Sequence, residues 1–179
     1  MNRVFALLIL LISIPILLVI VILLVLFDYQ NPLFIQERLC KGRKAFNLIK
    51  LRTMKDGQVT FLGKILRKTG VDEIPQMLNI LKGDMNFIGP RPLMQSDVIR
   101  LGWENKRYDI RWECKPGLTG LAQLSVLCHR RISFFYDSYY VKNRNLCMDI
   151  YIIFMSFLVL FFGKDIVKRI SSKFFIRKK

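Results

Sequence analysis

Two adjacent acids, Asp72 and Glu73, open the stretch Asp72-Glu73-Ile74-Pro75-Gln76. Arg67 lies five residues before Asp72, and Arg91 stands between Pro90 and Pro92. A carboxylate can attack a phosphorus centre when cations screen the repulsion between the two anions. Mg2+ suits that task because it binds carboxylates and phosphate oxygens together. Arginine adds bidentate contacts to phosphate, and a proline on each side limits how far Arg91 can wander. The plainer role for the acid pair is a helix cap in a favourable dipole. A strongly basic chain with a long apolar segment shifts the balance towards phosphoryl chemistry on a lipid.

The elements that must position these residues can be read coarsely. Residues 33–37 and 46–51 suit short strands or extended segments, split by the basic turn at 41–44. Residues 60–68 have helical character, with Phe61 and Ile65, and Leu62 and Leu66, at helical spacing before Gly70 ends the run. Asp72 is the candidate N-cap of the next helix, and Pro75 is tolerated in its first turn. Ile74, Met77, Leu78 and Leu81 would form that helix's apolar face, and Lys82-Gly83-Asp84 would end it. Residues 133–141 are rich in aromatics. The apolar run at 150–162 is too short to span a bilayer comfortably, so it is expected in the membrane interface or the core.

The chain has 179 residues, a formal net charge of +16 and 53% hydrophobic residues, which is room for one ordinary domain and no disordered basic tail. Such a chain can meet nucleic acid, an anionic membrane face or phosphate-bearing substrates. Residues 4–27 carry no charge, are long enough to cross a bilayer, and lack a following cleavage site, so a retained membrane segment is expected rather than a signal peptide. Pro15 sits mid-segment with Ser13 before it, and proline removes a backbone donor and kinks a helix. Two arrangements fit: a kinked span, or a helix that breaks and returns to the same face. Nearly all Lys and Arg follow Phe27, which places that portion in the cytoplasm. Residues 164–179 form a basic amphipathic tail suited to anionic lipid surfaces.

Other residues carry plainer expectations. Cys40, Cys114, Cys128 and Cys147 form no C-x-x-C pair and read as free thiols. His129 is the single histidine, which argues against histidine metal sites and a Ser-His-Asp triad, and it reads as a surface residue. The standard glycine-rich phosphate loops are absent. Lys50 and Arg52 suit a structural or a phosphate-contacting role equally. Asp84 reads as a turn cap, and Asp137 as an acceptor for a tyrosine. Tyr139 and Tyr140 belong at the interface or in the core.

The motifs together resemble the bacterial sugar transferase family, the monotopic polyprenyl-phosphate phosphoglycosyl transferases. They are Gln36-x-Arg38, Lys50-Leu51-Arg52-Thr53-Met54, Gly63-Lys64 with Arg67, and Asp72-Glu73-Ile74-Pro75-Gln76. They continue through Lys82-Gly83-Asp84-Met85, Gly89-Pro90-Arg91-Pro92, Lys115-Pro116-Gly117-Leu118-Thr119-Gly120 and Tyr139-Tyr140-Val141. The resemblance implies transfer of a phosphosugar from a UDP-sugar to undecaprenyl phosphate, the first membrane step in making O-antigen, capsule, exopolysaccharide or glycoprotein glycans. It implies Asp72 as the nucleophile that holds a covalent phosphosugar, with Glu73 as its partner in Mg2+ and proton handling. Arg91, within Pro90-Arg91-Pro92, would hold the diphosphate, and Arg67 would be a further anion contact. The resemblance also favours the re-entrant arrangement, broken near Ser13 and Pro15.

The implied architecture is α+β and mostly helical. A re-entrant membrane helix at 1–28 precedes a cytoplasmic catalytic domain at 29–163, which lies on the inner-membrane surface with interfacial amphipathic helices, and the tail at 164–179 follows. Anionic lipids are expected partners and nucleic acid is not. The chain departs from the family pattern at Cys40, at Leu121 and at Ser125-Val126-Leu127; the resemblance implies that the region after Thr119 helps shape the sugar site. Two other classes predict different behaviour. A non-catalytic cationic scaffold would tolerate replacement of Asp72 and Glu73, and a metal-dependent lipid or nucleotide-sugar phosphohydrolase would need no lipid acceptor.

Overall fold

An apolar run rich in Leu, Ile and Val, with only Ser13 and Pro15 to interrupt it, favours a helix, and residues Asn2–Asp28 form one, α1. The computed structural model describes residues 2–28, 31–125 and 130–162, and of Arg130 the backbone alone. The tail at 164–179, His129 and Cys128 therefore lie outside the described residues. Helices dominate, with short strands between them, so the expected α+β class holds. The described residues fall into two compact units: those within 1–38 and 45–85, and those within 39–44 and 86–162.

The first unit holds α1, most of β1 (Leu33–Leu39), β2 (Ala45–Leu51), the hairpin β3 (Met54–Lys55) and β4 (Gln58–Val59), α2 (Phe61–Thr69), a 3-10 segment (Val71–Gln76) and α3 (Met77–Lys82). β1 pairs with β2, and β3 with β4 in antiparallel register. Both expected strands are present, and the basic turn between them is a 3-10 turn at Lys41–Arg43. α2 starts where Thr60 caps it, its Oγ accepting from the Gly63 amide at 3.0 Å. It ends at Gly70, whose φ of 71° is left-handed and open to glycine at little cost. Leu24 of α1, Leu51 of β2 and Leu66 of α2 make the core between these elements.

α1 is helical on both sides of Pro15, and it is the one described helix long and apolar enough to cross a membrane. Ser13 is buried, and its hydroxyl donates to the Leu10 carbonyl at 3.0 Å. Proline at position 15 leaves the Leu11 carbonyl without its i+4 amide, so the serine does not serve the orphaned group directly.

α3 corrects one expectation. Met77 is buried, but Leu78 is exposed, and the other buried positions are Asn79 and Ile80. Asn79 is fully buried because its side chain completes the edge of β2: Oδ1 accepts from the Ile49 amide at 3.1 Å and Nδ2 donates to the Asn47 carbonyl at 2.7 Å. That pairing turns the helix face away from the one set by hydrophobicity alone.

The second unit holds β5 (Asn86–Ile88), α4 (Gln95–Leu101), a 3-10 segment (Lys106–Glu113), β6 (Gly117–Thr119), α5 (Leu121–Leu124), α6 (Arg130–Asn143) and α7 (Leu146–Phe162). β5 and β6 run parallel, with Asn86 opposite Gly117 and Ile88 opposite Thr119. One core gathers Leu39, Val98, Trp103 and Trp112, and a second gathers Cys114, Leu121, Tyr140 and Ile152. α7 buries only Ile152 and Met155 and exposes Ile150, Ile153, Phe154, Phe157, Phe161 and Phe162.

Candidate functional site

Thr53 organises the first half of the site. Its carbonyl accepts the Thr60 amide at 3.1 Å, and its hydroxyl accepts Arg67 Nε at 2.8 Å. A Cβ at Gly63 would strike the Thr53 carbonyl, so only glycine lets α2 cross this close. The Lys50-to-Met54 motif and the Gly63-Lys64 motif with Arg67 are thus two sides of one contact. Its result is that Arg67, in the last turn of α2, is tethered beside the segment that carries the acids.

Asp72 is 6% exposed, in the 3-10 segment, and its neighbour Glu73 is exposed. No side-chain cap is made at the start of that segment, where Gly70 holds the capping position. The expectation that Asp72 caps the helix is therefore corrected. The backbone reverses through a left-handed glycine, and the carboxylate is left for other partners. Lys50 is one of them. It shares a face of β2 with buried Phe46 and Leu48, and its ammonium lies 5.1 Å from the centre of the Phe34 ring.

The electrostatics follow from this burial. Loss of water pushes the Asp72 carboxyl above its ordinary value, opposed by Lys50, by its own backbone amide and by Arg67. Burial pushes Lys50 down, with Arg67 and Arg38 adding to the effect and Asp72 and Glu73 opposing it. A carboxylate short of water beside cations can serve as a nucleophile towards phosphorus, and the field of such cations would favour a phosphate. Arg52 is different: its Nε donates to the Asn31 carbonyl at 2.9 Å and its guanidinium covers Phe34 at 5.6 Å, a structural role. Asp84 accepts from Asn79 Nδ2 at 3.4 Å, at the turn it was expected to cap.

Pro90, Arg91 and Pro92 belong to the second unit. The Gly89 amide donates to the Thr119 carbonyl at 2.9 Å, and the Gly117 amide to the Pro90 carbonyl at 3.0 Å. A Cβ at Gly117 or Gly120 would collide with the backbone of Gly89, so the Gly-Pro-Arg-Pro and Pro-Gly-Leu-Thr-Gly motifs interlock backbone to backbone. Both prolines are buried while Arg91 is exposed, and its guanidinium has no hydrogen-bond or ion-pair partner among the described residues.

Two residues here were not legible beforehand. Arg111, 3% exposed, donates from Nε to Asp137 Oδ2 at 2.8 Å, so Asp137 serves an arginine rather than the expected tyrosine. A tyrosine–acid pair does form, but from Tyr140 to Asp149 at 3.0 Å. No short spacing signals an Arg–Asp pair 26 residues apart. Cys114 is buried, and that burial pushes its thiol up to about 11. Cys40, Cys114 and Cys147 are free thiols.

No cluster of three or more His, Cys, Asp or Glu occurs among the described residues. The donors available to a cation near Arg67 are the two adjacent acids, Asp72 and Glu73. That set suits Mg2+, which commonly takes one or two carboxylates and completes its shell with water and substrate phosphates.

The family model described as bacterial sugar transferase matches residues 1–163. A UDP-N-acetylgalactosamine-undecaprenyl-phosphate N-acetylgalactosaminephosphotransferase of Aeromonas hydrophila is 34% identical, over 83% of this chain and 40% of its own length. A UDP-glucose:undecaprenyl-phosphate glucose-1-phosphate transferase of Caulobacter vibrioides is 37% identical, over 62% of this chain and 46% of its own. An exopolysaccharide production protein of Rhizobium leguminosarum is 36% identical, over 81% and 85%. The chain spans about 40% of the length of the Aeromonas protein, and less than half of the Caulobacter one.

Proposed function

We propose that this chain, which belongs to the bacterial sugar transferase family, transfers a phosphosugar from a UDP-sugar to undecaprenyl phosphate and so begins a surface polysaccharide. The observation that carries the reading is the uncapped, buried Asp72 between Lys50 and Arg67. The relatives' names support the lipid acceptor and a sugar phosphate as the group transferred, and one names exopolysaccharide production.

In this mechanism an Asp72 carboxylate oxygen attacks the β-phosphorus of the donor. The bond from that phosphorus to the bridging oxygen breaks, and UMP leaves with the electron pair. An oxygen of undecaprenyl phosphate then attacks the same phosphorus, and the Asp72 carboxylate departs, restored. The product is the polyprenyl diphosphate sugar. Arg91 grips the diphosphate as a bidentate donor, and Arg67 and Lys50 offset the charge that accumulates when two anions meet. Glu73, with Asp72, would hold Mg2+, which when bound supplies charge neutralisation at the phosphate oxygens. The exposed apolar faces of α1 and α7 suit a lipid surface. We place the chain at the inner membrane with its acids facing the cytoplasm, among anionic lipids, and α1 re-entering near Ser13 and Pro15.

Asp72 as nucleophile makes an acyl phosphate, so the first half-reaction needs no lipid. The test is incubation with UDP-N-acetylgalactosamine or UDP-glucose and Mg2+, followed by intact-protein mass spectrometry. A gain of one phosphosugar is expected on the parent, lost when undecaprenyl phosphate is added, and absent from Asp72→Asn. An adduct on Asp72→Asn would sink the mechanism, and loss of the adduct to water at the same rate without lipid would point to hydrolysis.

A further inference from the structure

We propose that Arg111, held by Asp137, is a positioning residue for Arg91: it pins the main chain of the Pro90-Arg91-Pro92 turn so that the Arg91 guanidinium is presented to the donor. This rests on the reading that Arg91 grips the diphosphate. The distinctive observation is where the donors of Arg111 go. Its Nε donates to Asp137, and a terminal nitrogen donates to the backbone carbonyl of Arg91. The faces of the guanidinium are covered by Trp112 at 4.9 Å and Trp103 at 5.6 Å. An arginine cannot shed its charge when buried, so it must be given donors' partners and aromatic faces. Both are present here.

The turn explains why such a group is useful. Pro92 has no amide and Pro90 has none either, so the turn has few handles. Two of its three carbonyls are held: that of Pro90 takes the Gly117 amide and that of Arg91 takes Arg111. The backbone is thereby held on both sides of Arg91 while the side chain stays exposed and unpartnered among the described residues. A pinned main chain beneath a free side chain is what a binding arginine needs: little entropy is left to lose when ligand arrives. A buried ion pair adds little stability relative to an apolar replacement. Its directional bonds are what an apolar core could not supply. A lysine at 111 would keep the charge, but it has no planar fork with which to reach two acceptors set apart.

The test is a double-mutant cycle on the full chain in detergent micelles, with UDP and Mg2+ as the probe and the Kd from equilibrium dialysis. Arg91→Ala should weaken UDP binding about tenfold. Arg111→Lys should weaken it severalfold in the parent, yet change it less than about twofold in the Arg91→Ala background, because the group it positions is gone. A merely structural role would lower affinity by the same factor in both backgrounds, and that result would overturn the inference, as would no effect in the parent. An unchanged Kd in Arg91→Ala would instead remove Arg91 from the donor site and take this inference with it. The chain's two tryptophans, Trp103 and Trp112, both flank Arg111, so their emission reports whether the cage survives. Should Arg111→Lys not fold, Asp137→Asn enters the same cycle with the same expectations.

Discussion

At the scale of single residues, the balance between burial and nearby cations at Asp72 governs both reactivity and stability. Its folded carboxyl lies above the ordinary value of 3.8, so the folded chain binds that proton more tightly than the unfolded one. The stability lost on ionisation is absent below 3.8 and complete above the raised folded value. Asp72→Asn should therefore melt no lower than the parent at pH 7 while making no product, measured by thermal unfolding beside a transfer assay. Lys50 opposes the raised value. Lys50→Gln should move the acid limb of the kcat/KM profile to higher pH, because a carboxyl without that neighbour keeps its proton longer. An unmoved limb would detach Lys50 from the nucleophile. Asp137→Ala belongs to the same scale. It leaves Arg111 charged and buried, which should cost about 3–5 kcal/mol in a denaturant titration.

Elements are joined here by polar side chains and glycines as much as by apolar faces. Asn79→Ala would remove the partner of the Ile49 amide, on a half-buried residue, and of the Asn47 carbonyl, on an exposed one. A buried orphan costs about 1–3 kcal/mol and a solvated one less, so the urea midpoint should fall, and the Ile49 amide should exchange with deuterium faster. Gly63→Ala would push α2 off Thr53 and loosen Arg67 with it; the expected outcome is a loss of transfer larger than the loss of melting temperature. α2 itself was legible, because Phe61 and Ile65, and Leu62 and Leu66, keep helical spacing and Gly70 stops the run close behind them; the Thr60 cap was seen only in the structure. α3 was misread because a polar residue, Asn79, occupies its buried face, and the strand edge it satisfies is contributed by residues 30 and 32 positions away.

For the whole molecule, topology carries the prediction. In a cysteine-free background, Asn2→Cys should react with a membrane-impermeant thiol reagent only from the cytoplasmic side of sealed vesicles if α1 re-enters. Reaction only from the opposite side would establish a span. Pro15→Ala should shift the balance towards the span, because it restores the missing backbone donor and straightens the helix. The sequence alone determined the family that its acid, arginine and glycine motifs resemble, the apolar helix, the strand–turn–strand and the place of α2. These depend on neighbours within a few residues, where periodicity and capping operate. The tertiary structure alone decided that Asp72 caps nothing and faces Lys50, that Asn79 finishes a strand edge, and that Arg111 finds Asp137 and the Arg91 carbonyl. Such partners are far apart along the chain and are chosen by which buried charges and amides must be satisfied once the elements close, a condition no local spacing encodes.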